Sequence, residues 1–202
     1  MTLKLIVMKL EISKKKFITH IEIESYCKEL KLDYYTVIRY LTHHKYLVRI
    51  FKGIFYIKTI EERKLNKFDI SYLEIIKEAL KIKGIDNWYF GLETALKLNN
   101  LTHEYFTIEY VISDKLFRAK SISILGHKVK FVKLSPKLVF GIIKKNIPYS
   151  NPEKTLLDLI YLKHYSNAEF EEIAENLSKN KLIKYSKKYN KRIINAVKEL
   201  KW

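Results

Sequence analysis

From Phe17 to Lys58 (FITHIEIESYCKELKLDYYTVIRYLTHHKYLVRIFKGIFYIK) the apolar positions trace a strand, two helices and a hairpin in succession. Ile23, Tyr26, Cys27 and Leu30 recur at i, i+3, i+4 and i+7, the spacing of one helix face, and Glu24 or Ser25 can start that helix. Lys31 and Leu32 leave only a very short connection before Asp33. The Asp33 carboxylate can accept from the free amides of a following turn, so a second helix is predicted from Asp33 to about Lys45. Val37, Tyr40, Leu41 and His44 share its inner face, with Val37 and Leu41 directed at Tyr26 and Leu30. Leu47–Phe51 and Ile54–Ile57 read as strands joined by Lys52-Gly53, where Gly53 supplies the positive φ of a tight hairpin. With an amphipathic helix predicted over Thr2 to Ile12, the order is that of a winged helix-turn-helix.

The outer face of the second helix carries Tyr35, Thr36, Arg39, Thr42 and His43. An apolar face set against such groups is what docking into a DNA major groove requires. Tyr35, Thr36, Arg39 and His43 are therefore expected at bases or nearby phosphates of double-stranded DNA, and Arg49 and Lys52 at the backbone beside the wing.

Beyond the hairpin, Thr59–Lys67 (TIEERKLNK) is polar and reads as a linker or the entry to a long helix. This places a boundary between a domain over residues 1–62 and a second over 63–202. In the second, helices are predicted over Asp69 to Lys83, ended by Gly84, and over about Phe90 to Leu98. Strand-like runs follow at Tyr105–Ile112, Ser121–Leu125, Val129–Leu134 and Leu138–Ile143, with a turn at Gly126-His127. Pro148 and Pro152 bracket a loop, after which Asn151 can cap a largely buried helix beginning at Pro152. Helices are predicted again from Asn167 or Ala168 to about Leu177, and from Leu182 to Trp202. The fold class is thus α+β: a winged helix-turn-helix, then a mixed α/β domain with a small, largely antiparallel sheet and C-terminal helices.

Composition sharpens the expected partner. The 202 residues are 48% hydrophobic, enough for a real core, and carry a formal net charge of +17. Residues 1–67 hold 15 Lys/Arg against 7 Asp/Glu, so the excess is densest over the winged-helix region. Such a domain attracts polyanions, and counterion release makes the binding salt-sensitive. Lys and Ile abound and Gln is absent, a bias that an AT-rich genome or a thermophile would also produce. The Lys184, Lys187, Lys188, Lys191 and Arg192 cluster reads as a solvated face, with extra DNA contact the lesser alternative.

Other chemistries find little support. Cys27 is the only cysteine and sits on an apolar helix face, so it reads as a core thiol and no intrachain disulfide is possible. The six histidines (His20, His43, His44, His103, His127, His164) lack paired metal-ligand spacing, and there is no P-loop or GxGxxG, so neither metal nor cofactor is expected. LKLIVMKLEI is too short and too interrupted by charge for a signal peptide or a membrane span, which leads to the expectation of a cytoplasmic protein without membrane contact. The principal enzymatic alternative is a metal-dependent nuclease using Glu109, Asp114 and Lys115; the other is a protein-interaction module in which the winged helix is incidental.

Three motifs then occur in order: WYFGLETALKLNNLT at 88–102, VFGI at 139–142 and NPEKTLLDLI at 151–160. The series, preceded by a winged helix, resembles the AbiEi antitoxin family of transcriptional regulators over most of the chain. Asn99-Asn100 stands where that family commonly has His-Gly, and Asn151 where it has Asp. The resemblance implies a non-enzymatic repressor that binds inverted repeats in its own promoter and is encoded beside a nucleotidyltransferase-like toxin, the type IV arrangement. It also implies that the second domain contributes to antitoxicity. From the residues alone, Glu153, Lys154 and Asp158 are either a helix-surface trio or a buried polar anchor for their helix.

Overall fold

In the computed structural model, which describes residues 2–162 and 165–200, the chain divides into two compact units at Gly84 and Ile85. The fold is α+β.

The first unit opens with α1 (Thr2–Ser13), β1 (Phe17–Thr19), α2 (His20–Glu29) and α3 (Tyr34–His43). The hairpin β2 (Leu47–Phe51) and β3 (Ile54–Ile57) completes a three-stranded antiparallel sheet of order β1-β3-β2. That strand order is the winged-helix order, and it follows from β1 pairing with the far strand of the hairpin. Ile6 and Leu10 of α1, Ile23 and Cys27 of α2, and Val37 and Leu41 of α3 pack with Ile18, Leu47, Phe55 and Ile57 as one core, with Tyr26 and Leu30 at its margin. The pairing expected between α2 and α3 is therefore present, and Cys27 is a core thiol whose pKa burial pushes up.

Two boundaries differ from expectation for the same reason. α2 starts at His20, not near Glu24, because Thr19 and Glu22 form a capping box: each side chain takes up the other residue's backbone N–H. The segment expected as a linker is likewise α4 (Ile60–Leu65), started by a capping box between Thr59 and Glu62. Glu62 is buried, accepting from the Tyr56 hydroxyl at 2.7 Å and from the Asp69 N–H at 2.8 Å. Next, α5 (Tyr72–Ile82), which ends at Gly84 as predicted, packs on β2 and β3 through a helix whose Ile75, Ile76, Ala79 and Leu80 are buried. All four residues of β3 are consequently buried, alternating between the α1–α3 core and the opposite face of the sheet. The first unit runs through Gly84, and the boundary expected near residue 62 falls inside it.

The second unit is built on a six-stranded sheet: β4 (Trp88–Phe90), β5 (Ile108–Ser113), β6 (Ile122–Ile124), β7 (His127–Lys133), β8 (Ile142–Lys144) and β9 (Pro148–Ser150). Its order is β6-β7-β5-β4-β9-β8. Three of its five pairings are antiparallel; β5–β7 and β4–β9 are parallel, which makes the sheet mixed. The β6–β7 turn centres on Leu125-Gly126, both with positive φ. Trp88–Phe90, expected partly as helix, is a fully buried strand, and the helix α6 (Leu92–Leu98) begins after Gly91. A Cβ at Gly91 would lie 2.4 Å from Ile112 Cδ1, so this position requires glycine for the close approach of α6 to β5. Pro148–Ser150, expected as loop, is β9, and Leu138 belongs to a 3-10 turn (Pro136–Leu138), not to a strand.

α7 (Pro152–Leu162) is capped by Asn151, whose Oδ1 accepts from the Lys154 N–H at 3.0 Å. The remaining helices are α8 (Asn167–Ala174), α9 (Lys179–Ser186) and α10 (Lys191–Glu199). The single helix predicted from Leu182 is thus two, joined through Lys187–Asn190, with Asn190 capping the second; residues 201 and 202 lie outside the described residues. α8, α9 and α10 pack on α7 around Leu156, Leu159, Phe170, Leu182, Ile193 and Val197.

Candidate nucleic-acid interface

The face predicted to meet DNA is built by α3 and the hairpin. Asp33 starts α3: its Oδ2 accepts from the Thr36 N–H at 2.7 Å, and that bond, with smaller help from the Thr36 side chain and the Arg39 charge, holds the carboxyl below its usual range. The cap fixes the helical phase. Val37 and Leu41 are fully buried, so Tyr35, Thr36, Arg39 and His43 turn outward, and all four are exposed, Tyr35 to 75%. Arg49 and Lys52 of the hairpin are exposed as well. The structure thus presents all six predicted residues on the surface of one unit.

Two details change the expected chemistry. Thr42, expected among the outward donors, spends its hydroxyl on its own helix, donating to the Ile38 carbonyl at 2.7 Å. The hairpin tip is also not a free arm. The Gly53 carbonyl accepts from the His20 N–H at 2.9 Å, and a Cβ at Gly53, whose φ is 77°, would stand 2.7 Å from His20 Nδ1. The wing is therefore short and tied to the start of α2, with Lys52 at its apex.

Between α3 and the hairpin lies a cleft of about 720 Å³, lined on one side by Tyr34, Tyr35, Ile38 and Thr42 and on the other by Arg49, Lys52 and Phe55. His20, Glu24 and Gly53 complete it. Burial, with help from the Glu24 charge, raises the Tyr34 phenol pKa, and Arg49 opposes the shift. The apolar part of this cleft is a feature that helical periodicity did not single out, because Ile38 and Phe55 come from different elements.

The alternative residues are placed elsewhere. Glu109 is buried near the start of β5 and pairs with Lys97 at 3.1 Å, while Asp114, past the strand's other end, accepts from Asn87 at 2.7 Å. Four residues of strand lie between them, a separation of about 16 Å along the extended chain, too far to share one metal ion. Among the described residues no group of three His, Cys, Asp or Glu side chains could hold a metal. His164 lies outside the described residues. Lys184, Lys187, Lys188, Lys191 and Arg192 are exposed, as a solvated face requires; Lys188 covers the Phe140 ring at 4.0 Å and Arg192 donates to the Tyr161 carbonyl at 2.8 Å.

The NPEKTLLD motif lies inside the second unit and is not a surface trio. Lys154 and Asp158 are fully buried and ion-paired. Lys154 Nζ also donates to the Tyr89 hydroxyl at 2.9 Å and the Tyr189 hydroxyl at 2.7 Å. Both phenols donate in turn to Asp158, at 2.7 and 2.8 Å. Burial pushes both tyrosine pKa values well up and that of Lys154 down, the last against the pull of Asp158. Glu153, at the start of the same helix, is paired with Lys181 at 2.7 Å. The group ties β4, α7 and the α9–α10 turn together and is the buried anchor that the sequence left as one of two possibilities.

No protein-family profile matches this sequence, and no curated protein does. The chain is similar in fold to the crystal structure of the RV2827C protein from Mycobacterium tuberculosis, with a TM-score of 0.63 over 96% of this chain and 74% of that one, at 12% identity. At that identity the likeness establishes the fold alone. Among the described residues no helix is long and apolar enough to cross a membrane.

Proposed function

We propose that this protein is a sequence-specific DNA-binding transcriptional regulator that docks α3 in the major groove of a duplex. The observation that carries the reading is the sidedness of α3: Val37 and Leu41 are wholly buried while Tyr35, Thr36, Arg39 and His43 are exposed beside Arg49 and Lys52. Charge supports it. Residues 34–60, which hold α3 and the hairpin, contain five Lys/Arg and no Asp/Glu. The three motifs of the second unit extend the proposal to an autorepressing, cytoplasmic antitoxin of the type IV kind, acting against a nucleotidyltransferase-like toxin without catalysing a reaction itself.

A gel shift on the DNA upstream of its own reading frame, with competitor DNA, tests the regulator. Retarded bands that random competitor removes as readily as cognate duplex would defeat it. Lys52, at the apex of a short hairpin, should contribute through phosphate only. Lys52→Ala is expected to weaken binding to all sequences alike and to flatten the plot of log affinity against log salt by about one unit. An unchanged slope removes the hairpin from the interface.

A further inference from the structure

The cleft between α3 and the hairpin has the wrong lining for a purely hydrogen-bonded reading of bases. Tyr35, Ile38 and Thr42 lie at i, i+3 and i+7 along α3, one stripe, and all three line the cleft. Ile38 has no polar side-chain atom, and the Thr42 hydroxyl hydrogen is committed to the Ile38 carbonyl. Phe55 lines the opposite wall, 3% exposed, and Tyr34 packs edge-on to Tyr35 with ring centroids 5.4 Å apart. Asn and Gln, the side chains that pair with adenine in the major groove, are absent from the lining. Cations stand at its hairpin side, Arg49 and Lys52, and its one carboxylate, Glu24, acts on Tyr34 in opposition to Arg49. An apolar stripe with cations beside it matches the one base edge in the major groove that carries a hydrocarbon group, the thymine 5-methyl.

We propose that Tyr35 and Ile38 read thymine 5-methyl groups, so that the recognised half-site carries thymines where the cleft-facing side of α3 enters the groove. This rests on the DNA-binding reading above. Arg39, one residue on from Ile38, lies outside the cleft lining and keeps hydrogen-bonded base reading as its separate task. Tyr35 is a specificity-determining residue rather than an anchor: it is exposed in the free protein, and its ring becomes covered when the methyl packs on it. One exposed ring, Tyr35, beside the cations Arg49 and Lys52 fits this occupant better than a protein partner, whose binding energy is usually concentrated in well-packed central pockets that exclude water.

The test uses the full chain and short duplexes enriched by it from a random-sequence library. The tightest duplex is compared with the same duplex carrying deoxyuridine for each thymidine in turn, which removes only the methyl. Binding should weaken about fourfold at one or two positions, the effect of uncovering a single methyl. Tyr35→Ala, and Ile38→Val as a milder partner that keeps the core filled, should each bind the thymidine duplex more weakly and lose most of the deoxyuridine effect. Specific enrichment with deoxyuridine tolerated at every position overturns the methyl reading and leaves the DNA-binding reading standing. A deoxyuridine effect of the same size in both variants also overturns the assignment to these side chains. No enrichment of any sequence overturns both.

Discussion

Replacing Asp158 with alanine is expected to destabilise the second unit by about 3–5 kcal/mol, the usual result of stripping the partner from a buried charge. The change leaves Lys154 Nζ fully buried with two phenols and no anion, and leaves the Tyr89 and Tyr189 hydroxyls without the acceptor that both now use. Urea unfolding followed by the tyrosine and tryptophan signals would show the loss as a lower midpoint at unchanged slope. A double replacement, Lys154→Met with Asp158→Leu, removes both charges together and should recover a large part of the deficit. If the single variant were as stable as the parent, the anchoring role would be wrong.

The two phenols of this group predict an alkaline limit. It dominates above pH 10.5, where Lys154, whose lowered folded pKa acts in the opposite sense, no longer contributes a slope. Tyr89 and Tyr189 have folded pKa values raised above the ordinary 10, so in the folded state both keep their protons at pH values where the unfolded chain gives them up. The unfolded state then binds fewer protons, and the sign of the linkage makes stability fall as pH rises. Their contribution is fully present below pH 10 and declines above it by about 1.4 kcal/mol per pH unit for each phenol. Tyr89→Phe should flatten that decline while costing stability at neutral pH.

Arg39→Ala is expected to have the second largest effect. Arg39 is exposed on the outer face of α3, and its guanidinium is the side chain there best suited to bidentate contact with guanine O6 and N7. Its loss should cost about 1–3 kcal/mol on the cognate duplex and relax preference at one base pair. On random duplex the loss should be much smaller. Equal losses on both would reduce Arg39 to a phosphate contact and shift base reading to the remainder of the helix.

The winged unit was legible because its determinants are local. Asp33, the Val37–Leu41 face and Gly53 act within one turn or one hairpin, and each does in the structure what its spacing implies. The missed boundaries carried a local signal too: Thr19-x-x-Glu22 and Thr59-x-x-Glu62 both have the spacing of a capping box. The second unit was harder because what holds it is distant along the chain. β4 meets β9 through Phe90 and Tyr149, a three-residue strand too short to show a period. Tyr89 and Tyr189 reach Lys154 from 65 and 35 residues away, and nothing in the i, i+4 spacing of Lys154 and Asp158 tells a buried pair from a surface one. The outward placement of Tyr35, Thr36, Arg39 and His43 was readable from helical phase and that of Arg49 and Lys52 from the hairpin; the apolar cleft beside them depends on Phe55, which phase does not encode.

The cover that α5 gives the hairpin sets where the protein can be cut. A fragment stopped at residue 62 keeps every residue proposed to touch DNA, yet it strips away Ile75, Ile76, Ala79 and Leu80 and bares the back of a two-sided strand. Such a piece should stick to itself through the uncovered ribbon of β2 and β3, whereas one extended through Gly84 retains its lining. The proposed role of α3 therefore depends on keeping α5, which covers the other face of the sheet that the hairpin completes.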